Sequence, residues 1–154
     1  MLDQLHAEVD EEAARLERLH AGRLKCRRGC FDCCVDDITV FEVEAEKIRA
    51  GARALLETAE PHPPGRCAFV GAEGECRIYE FRPYVCRTQG LPLRWIDDEA
   101  QAEYRDICPL NDEGAPIEEL DPAACWTLGA TEEKLARLNG TPSRVSLRSL
   151  FRRG

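Results

Sequence analysis

Leu2, Leu5, Val9, Leu16 and Leu19 recur at three-, four- and seven-residue steps, with Ala13 bridging the gap. This period places them on one face of a helix running from residue 2 to Gly22, a residue suited to ending it. The other face is charged, as in a helix packed on one side and solvated on the other. Thr39 stands where a second helix would be capped, with Glu42 three residues on as in a capping box. Val40, Val43, Ile48, Ala52 and Leu55 then form an apolar face through Leu56. Pro61, Pro63, Pro64 and Gly65 mark a loop.

Cys67-Ala-Phe-Val70, a turn at Gly71–Gly74 and Cys76-Arg-Ile-Tyr79 predict a short β-hairpin. Pro83 suits the first turn of a short helix running toward Arg87. Residues 97–107 predict a helix rich in charge, followed by a polar stretch with Pro109, Gly114 and Pro116. Thr131 is placed to cap a last helix with Glu132 and Glu133 in its first turn, and Gly140 and Pro142 end it. The tail, Ser143–Gly154, carries Arg144, Arg148, Arg152 and Arg153. The expected fold class is α+β: small, mainly helical, irregular, metal-stapled, with a short β-hairpin.

Composition sharpens this picture. A chain of 154 residues has the length of a single domain. Within it we expect an N-terminal helix over 1–22, a cysteine-rich core over 26–108, and a C-terminal helix and basic tail over 131–154. Aromatic residues make up 6% and charged residues 32%, so the core is thin and an internal staple would help. The net charge of -8 disfavours a nucleic-acid or anionic-membrane surface. No apolar run is long enough to span a bilayer, and the first residues lack the apolar region of a signal peptide. The expected compartment is a reducing cytoplasm, where clustered cysteines read as metal-binding or catalytic rather than as disulfides.

Nine cysteines are the candidate chemistry. Four fall in the run Cys26-Arg-Arg-Gly-Cys30-Phe-Asp-Cys33-Cys34, and five follow at Cys67, Cys76, Cys86, Cys108 and Cys125. Four thiolates suffice for a tetrahedral zinc or for an iron–sulfur cluster. Cys30-x-x-Cys33 is a chelating spacing, because two intervening residues let both sulfurs face one ion. Cys33 and Cys34 are expected to diverge along an extended backbone. Cys34 would then serve a different metal, a different iron of one cluster, or the core. Two four-sulfur sites would use eight of the nine thiols; Cys125 reads equally well as a buried apolar thiol. His6, His20 and His62 have no ligand spacing to one another, so the donor set is sulfur-rich and histidine-poor. Arg23, Lys25, Arg27 and Arg28 flank Cys26, and Arg77, Arg82 and Arg87 attend Cys76 and Cys86. Such cations would stabilise a negatively charged thiolate site.

Two segments, Cys26-x-x-Gly29-Cys30-x-x-Cys33-Cys34 and Gly74-Glu-Cys76-Arg-Ile-Tyr79-Glu-Phe-Arg82-Pro83-Tyr-Val-Cys86-Arg87, together resemble the YkgJ-type cysteine-cluster family, described as a zinc- or iron-chelating domain. The resemblance spans roughly residues 26–108. It implies a metal set of Cys26, Cys30, Cys33, Cys34, Cys67, Cys76, Cys86 and Cys108, with Cys125 outside the matched segments. Some larger relatives are associated with protein lysine methylation, notably on flagellin. This chain is short and carries no G-x-G-x-x-G nucleotide loop. The strand ending at Tyr79, the turn opened by Pro83, and arginines donating to sulfur or pairing with Glu80 fit the same picture.

The leading expectation is a cytosolic cysteine-rich metal-binding protein holding an iron–sulfur cluster or Zn2+, the cluster slightly favoured. A second is an enzyme using the centre for group transfer, as in protein methylation, or for redox chemistry. A third is a metal-stapled module that recruits a protein partner through the first helix or the basic tail. The sequence leaves the metal, the sharing of cysteines between centres, the substrate and the oligomeric state open.

Overall fold

Helix α1 (Leu2–Leu19) forms where the leucine period predicts it. The structure is a computed structural model that describes residues 1–27 and 29–151; Arg28, Arg152, Arg153 and Gly154 lie outside the described residues. Helix α1 buries Leu5, His6, Val9, Ala13 and Leu16 and leaves Leu19 exposed. It ends before Gly22, with the His20 N–H bonded to the Leu16 carbonyl.

The predicted helix over 39–56 is three elements. Thr39–Phe41 forms strand β1, paired antiparallel with β5 (Arg144–Ser146) through Thr39↔Ser146 and Phe41↔Arg144. Thr39 therefore caps nothing. Its segment is claimed by a strand more than a hundred residues away, and the β-branched and aromatic residues Thr39, Val40 and Phe41 suit a strand. Helix α2 (Glu42–Gly51) follows Phe41. The Asn139 side chain serves its first turn instead, accepting the Val43 N–H at 2.9 Å. The chain breaks at Ala52 before α3 (Arg53–Thr58). Gly51 lies under the Phe81 ring, where an added Cβ would come within 2.4 Å of the ring.

The segment over 67–79 makes its turn but little strand. Val70 and Cys76 form an isolated antiparallel bridge, and the Gly71 N–H reaches the Glu75 carbonyl. Tyr79 opens a short 3-10 turn (Tyr79–Phe81) rather than closing a strand. Pro83 precedes α4 (Tyr84–Arg87), as expected.

The expected helix over 97–107 is overturned. Strands β2 (Leu93–Asp97) and β3 (Ala102–Asp106) form a regular antiparallel hairpin. Asp97 accepts the N–H groups of Glu99 and Ala100, a local turn bond that competes with helix. Trp95 and Tyr104 stack across the pair at 5.5 Å. Strand β4 (Trp126–Thr127) joins β2 in parallel, giving the order β3-β2-β4.

Helix α5 (Ala130–Asn139) is capped two residues before the expected position. Gly129, at φ +124°, holds the cap position, and its N–H donates to the Glu132 carboxylate at 2.7 Å. Thr131 lies inside the helix, and Gly140 ends it in the left-handed conformation, as expected.

The elements make a small mixed α+β domain with two apolar clusters. One gathers Val40, Ala45, Ile48, Phe69, Ile78, Leu147 and Phe151. The other gathers Leu5, Val9, Leu16, Phe41, Tyr84, Trp126 and Leu135. Strand β1 spans both, sending Val40 to one and Phe41 to the other. Cys67 and Cys76 rest on the edge of the first cluster. No helix among the described residues is long and apolar enough to cross a membrane.

Candidate metal centre

All nine cysteines are free thiols, and of these only Cys125 is fully buried. The first thiol is positioned by an amide. Asn111 is completely buried. Its Oδ1 accepts the Lys25 N–H at 2.7 Å; its Nδ2 donates to the Gly90 carbonyl at 2.8 Å and to Cys26 Sγ at 3.4 Å. Its own N–H donates to the Cys108 carbonyl at 2.8 Å. One side chain thus ties the Cys26 segment, the Gly90 turn and the Cys108 turn together. Gly90 is required at this point, because its φ is +87° and a Cβ there would stand 2.4 Å from Cys26 Sγ. Neither Asn111 nor Gly90 was singled out by sequence, and each acts through a contact that spacing does not reveal.

The knuckle is built from turns, not from extended chain. Cys30 N–H bonds to the Arg27 carbonyl and Cys34 N–H to the Phe31 carbonyl. The Cys34 carbonyl in turn accepts the Cys67 N–H at 2.9 Å, fastening the knuckle to the second segment. Cys86 enters on α4, its N–H bonded to the Pro83 carbonyl. The backbone at Cys33 and Cys34 therefore turns instead of running extended, and the influence of Cys34 brings Cys33 down to about 7. The same interaction pushes Cys34 strongly up, helped by burial and by the charge of Cys33, Cys67 and Cys86.

The electrostatic neighbours of the thiols overlap at Cys33. Cys26 is raised by burial of its sulfur, although the residue as a whole is exposed; the Asn111 amide opposes this, and charge on Cys33, Cys30 and Cys108 adds to it. Cys86 is raised by burial and by Cys67, Cys76 and Cys33, with Arg82 opposing. Cys76 is raised by burial and by Cys67, with Arg82 and Arg77 opposing. Cys67 is raised by burial, with the Phe69 N–H, Arg148 and Arg77 opposing. We call Cys26, Cys30, Cys33 and Cys108 the outer quartet and Cys34, Cys67, Cys76 and Cys86 the inner one; Cys33 also acts on Cys86, so the two overlap.

Among the described residues no three Cys, His, Asp or Glu side chains are already disposed around a metal ion. The thiols are gathered without being closed on a point, as expected when binding and local folding are coupled. The donor chemistry still fits a sulfur-ligated metal: soft donors only, four to a quartet, with cations alongside. The histidines stand apart. His6 bonds Glu44, His20 the Ala124 carbonyl and His62 the Pro63 carbonyl.

The arginines divide. Arg87 is buried, donates to Asp10 at 2.6 Å and to the Arg82 carbonyl at 3.0 Å, and so locks α4 to α1 rather than serving sulfur. Arg82 does not pair with Glu80; its guanidinium lies 3.9 Å over the Tyr79 ring. In the tail, Arg144 donates to Thr39, and Arg148 to Asp36 and to the His62 and Arg66 carbonyls. Cys125 lies apart from both quartets, its sulfur taking a hydrogen bond from Arg105 at 3.2 Å.

Comparison with curated proteins and with solved structures gives no significant match. One family model matches residues 25–109, more than half the chain, under the description "Putative zinc- or iron-chelating domain". The family's name, CxxCxxCC, has two residues between its first two cysteines where this chain has three, Arg27, Arg28 and Gly29. The matched span begins one residue before Cys26, ends one after Cys108, and leaves Cys125 outside. The chain therefore belongs to the CxxCxxCC family of zinc- or iron-chelating domains.

Proposed function

We propose that this is a cytosolic metal-binding protein with two sulfur-ligated centres, one at Cys26, Cys30, Cys33 and Cys108 and one at Cys34, Cys67, Cys76 and Cys86. The observation that carries it is the tying of Cys108 to Cys26 through Asn111 and of Cys67 to Cys34 by a backbone hydrogen bond, with Cys33 acting on Cys26 and on Cys86. A tetrahedral zinc in such a set acts as a structural staple, whereas an iron–sulfur cluster supplies electron-transfer chemistry. We favour iron–sulfur. Sulfur is in excess, the two sets adjoin, and arginine charge lies beside the inner thiols. The cytosolic assignment rests on nine unpaired thiols, which a reducing compartment preserves.

The chain itself contributes position. Asn111 and Gly90 hold the Cys26 sulfur against the Cys108 turn. Glu44, through the Tyr84 N–H, holds the turn that carries Cys86. Anaerobic purification followed by elemental analysis and a visible spectrum is the direct test. Brown protein with iron and acid-labile sulfide supports the cluster. Colourless protein with two zinc ions per chain excludes it and keeps the two centres. Protein that takes up neither metal refutes the proposal.

A further inference from the structure

The β2–β3 hairpin carries an aromatic pair that neither apolar cluster takes up. Strand alternation puts Leu93, Trp95 and Asp97 on one face with their partners Asp106, Tyr104 and Ala102. Leu93 packs on the second cluster, whereas Tyr104, stacked on Trp95, is 43% exposed. The charges are sorted by face. Arg94 and Arg105 lie on the opposite face, and both pair with Glu103, at 2.6 and 3.1 Å. The aromatic face carries Asp97 and Asp106 and no cation of the two strands. Asp97 accepts the Glu99 and Ala100 N–H groups, and Asp106 accepts the Ile107 N–H on one oxygen. At the tip Asp98 and Glu99 are exposed, and neither carboxylate has a partner among the described residues. Phe31 and Tyr79, which also reach the surface, each hold a guanidinium of the chain's own, from Arg66 and Arg82, at 5.1 and 3.9 Å from the ring centroid. Among the described residues Trp95 and Tyr104 hold none.

We propose that this aromatic face is a docking surface for a protein segment that presents arginine, its guanidinium laid on the Trp95–Tyr104 pair and matched by Asp106 and the tip carboxylates. Aromatic rings attract cations to their faces, and arginine suits them better than lysine because its plane stacks. Tryptophan and tyrosine are the residues that most often anchor an interface. The carboxylates around the rings repel an acidic partner, and a net charge of -8 disfavours a second copy of this chain. A pair that served only to hold the hairpin would leave the sign of the charge around it indifferent. Docking here does not depend on metal at either thiol set.

The test is fluorescence anisotropy of a dye-labelled glycine–arginine repeat peptide titrated with the full chain, purified anaerobically with its own metal. The peptide should bind, a glycine–lysine repeat should bind several-fold more weakly, and a glycine–glutamate repeat should not bind. Asp98→Asn with Asp106→Asn leaves the turn bonds of Asp97 in place and should weaken the arginine peptide about ten-fold or more. Glu11→Gln with Glu17→Gln removes the same charge from exposed positions on α1 and should change affinity less than about two-fold. Tyr104→Thr, which keeps a strand-forming residue, should weaken binding about ten-fold. The charge variants carry the test if Tyr104→Thr proves unfolded by circular dichroism. No binding of the arginine peptide, equal binding of the arginine and lysine repeats, equal loss in the two charge variants, or unchanged affinity in folded Tyr104→Thr overturns the inference. So does a concentration-dependent dimer in sedimentation that Tyr104→Thr abolishes, which gives the face to a second copy.

Discussion

The Glu44 carboxylate accepts the backbone N–H of Tyr84 at 2.7 Å, tying helix α2 to the turn that delivers Cys86. The same oxygen meets His6 Nε2 at 3.0 Å, and both side chains are 3% exposed. One buried carboxylate thus joins α1, α2 and α4. Glu44→Ala strands two buried N–H groups. We expect it to cost roughly 2–5 kcal/mol of stability. Urea denaturation of the metal-loaded protein measures this. A cost below about 1 kcal/mol would mean that the Cys86 turn is held by other contacts.

Asn111→Leu keeps the volume of the buried amide and removes its bonds to Cys26, Lys25 and Gly90. Gly90→Ala drives a methyl into the Cys26 sulfur and puts a side chain on a left-handed backbone. Both should weaken metal at the outer centre by about ten-fold or more, with the inner centre retained. Competition titration against a chelator, read as stoichiometry, should show loss of one centre rather than two.

Cys30→Ala should lose metal and solubility together. Cys125→Ala should retain all metal and lower stability by only about 1 kcal/mol, because its sulfur contacts Arg105 and no other cysteine. Elemental analysis of the two variants side by side decides this. Metal loss from Cys125→Ala would bring a ninth thiol into the centre.

In metal-free protein the thiols should titrate apart. Cys33, held down by Cys34, should alkylate first, with a midpoint near pH 7. Cys26, Cys34, Cys67, Cys76, Cys86 and Cys125 are raised above the ordinary 9.0, chiefly by burial except at Cys34, where the interaction with Cys33 leads. Their folded-state values exceed the unfolded one, so the stability linked to them is full below pH 9 and is lost as pH rises beyond it. Cys33 has the opposite sign: its contribution is present above pH 9 and lost as pH falls toward 7. The six outweigh the one. Metal-free protein should melt at a lower temperature at pH 10 than at pH 8, and bound metal, which needs thiolates, should reverse that trend. Mass-mapped iodoacetamide labelling and thermal melts across this range test both statements.

The α1 leucine face was legible because a helix declares its buried side within its own period. The Gly140 stop and the Pro83 turn were legible because their backbone needs are local. Thr39 misled because strand β5, not the next turn of helix, takes up its segment. The 97–107 segment misled because its charge pattern hid the cross-strand Trp95–Tyr104 stack. The site divides in the same way. Its chemistry lies in the spacing Cys26-x3-Cys30-x2-Cys33-Cys34 and in the Cys76–Arg87 segment. Its support lies in Asn111, Gly90 and Glu44, which act across the chain.

By itself the sequence determined the donor chemistry: eight thiols, six of them in two recognisable segments, few histidines, cations nearby, and a core thin enough to want a staple. Tertiary structure decided how the thiol segments are brought together. It folded the knuckle into turns, tied Cys67 to Cys34 by a backbone hydrogen bond, set the Cys108 turn beside Cys26 through one buried amide, and left Arg23, Arg77 and Arg82 each with a buried nitrogen without a hydrogen-bond partner among the described residues. The physical reason is range. Ligand type and spacing are properties of a few consecutive residues, whereas which sulfurs face one another depends on hydrogen bonds between segments dozens of residues apart.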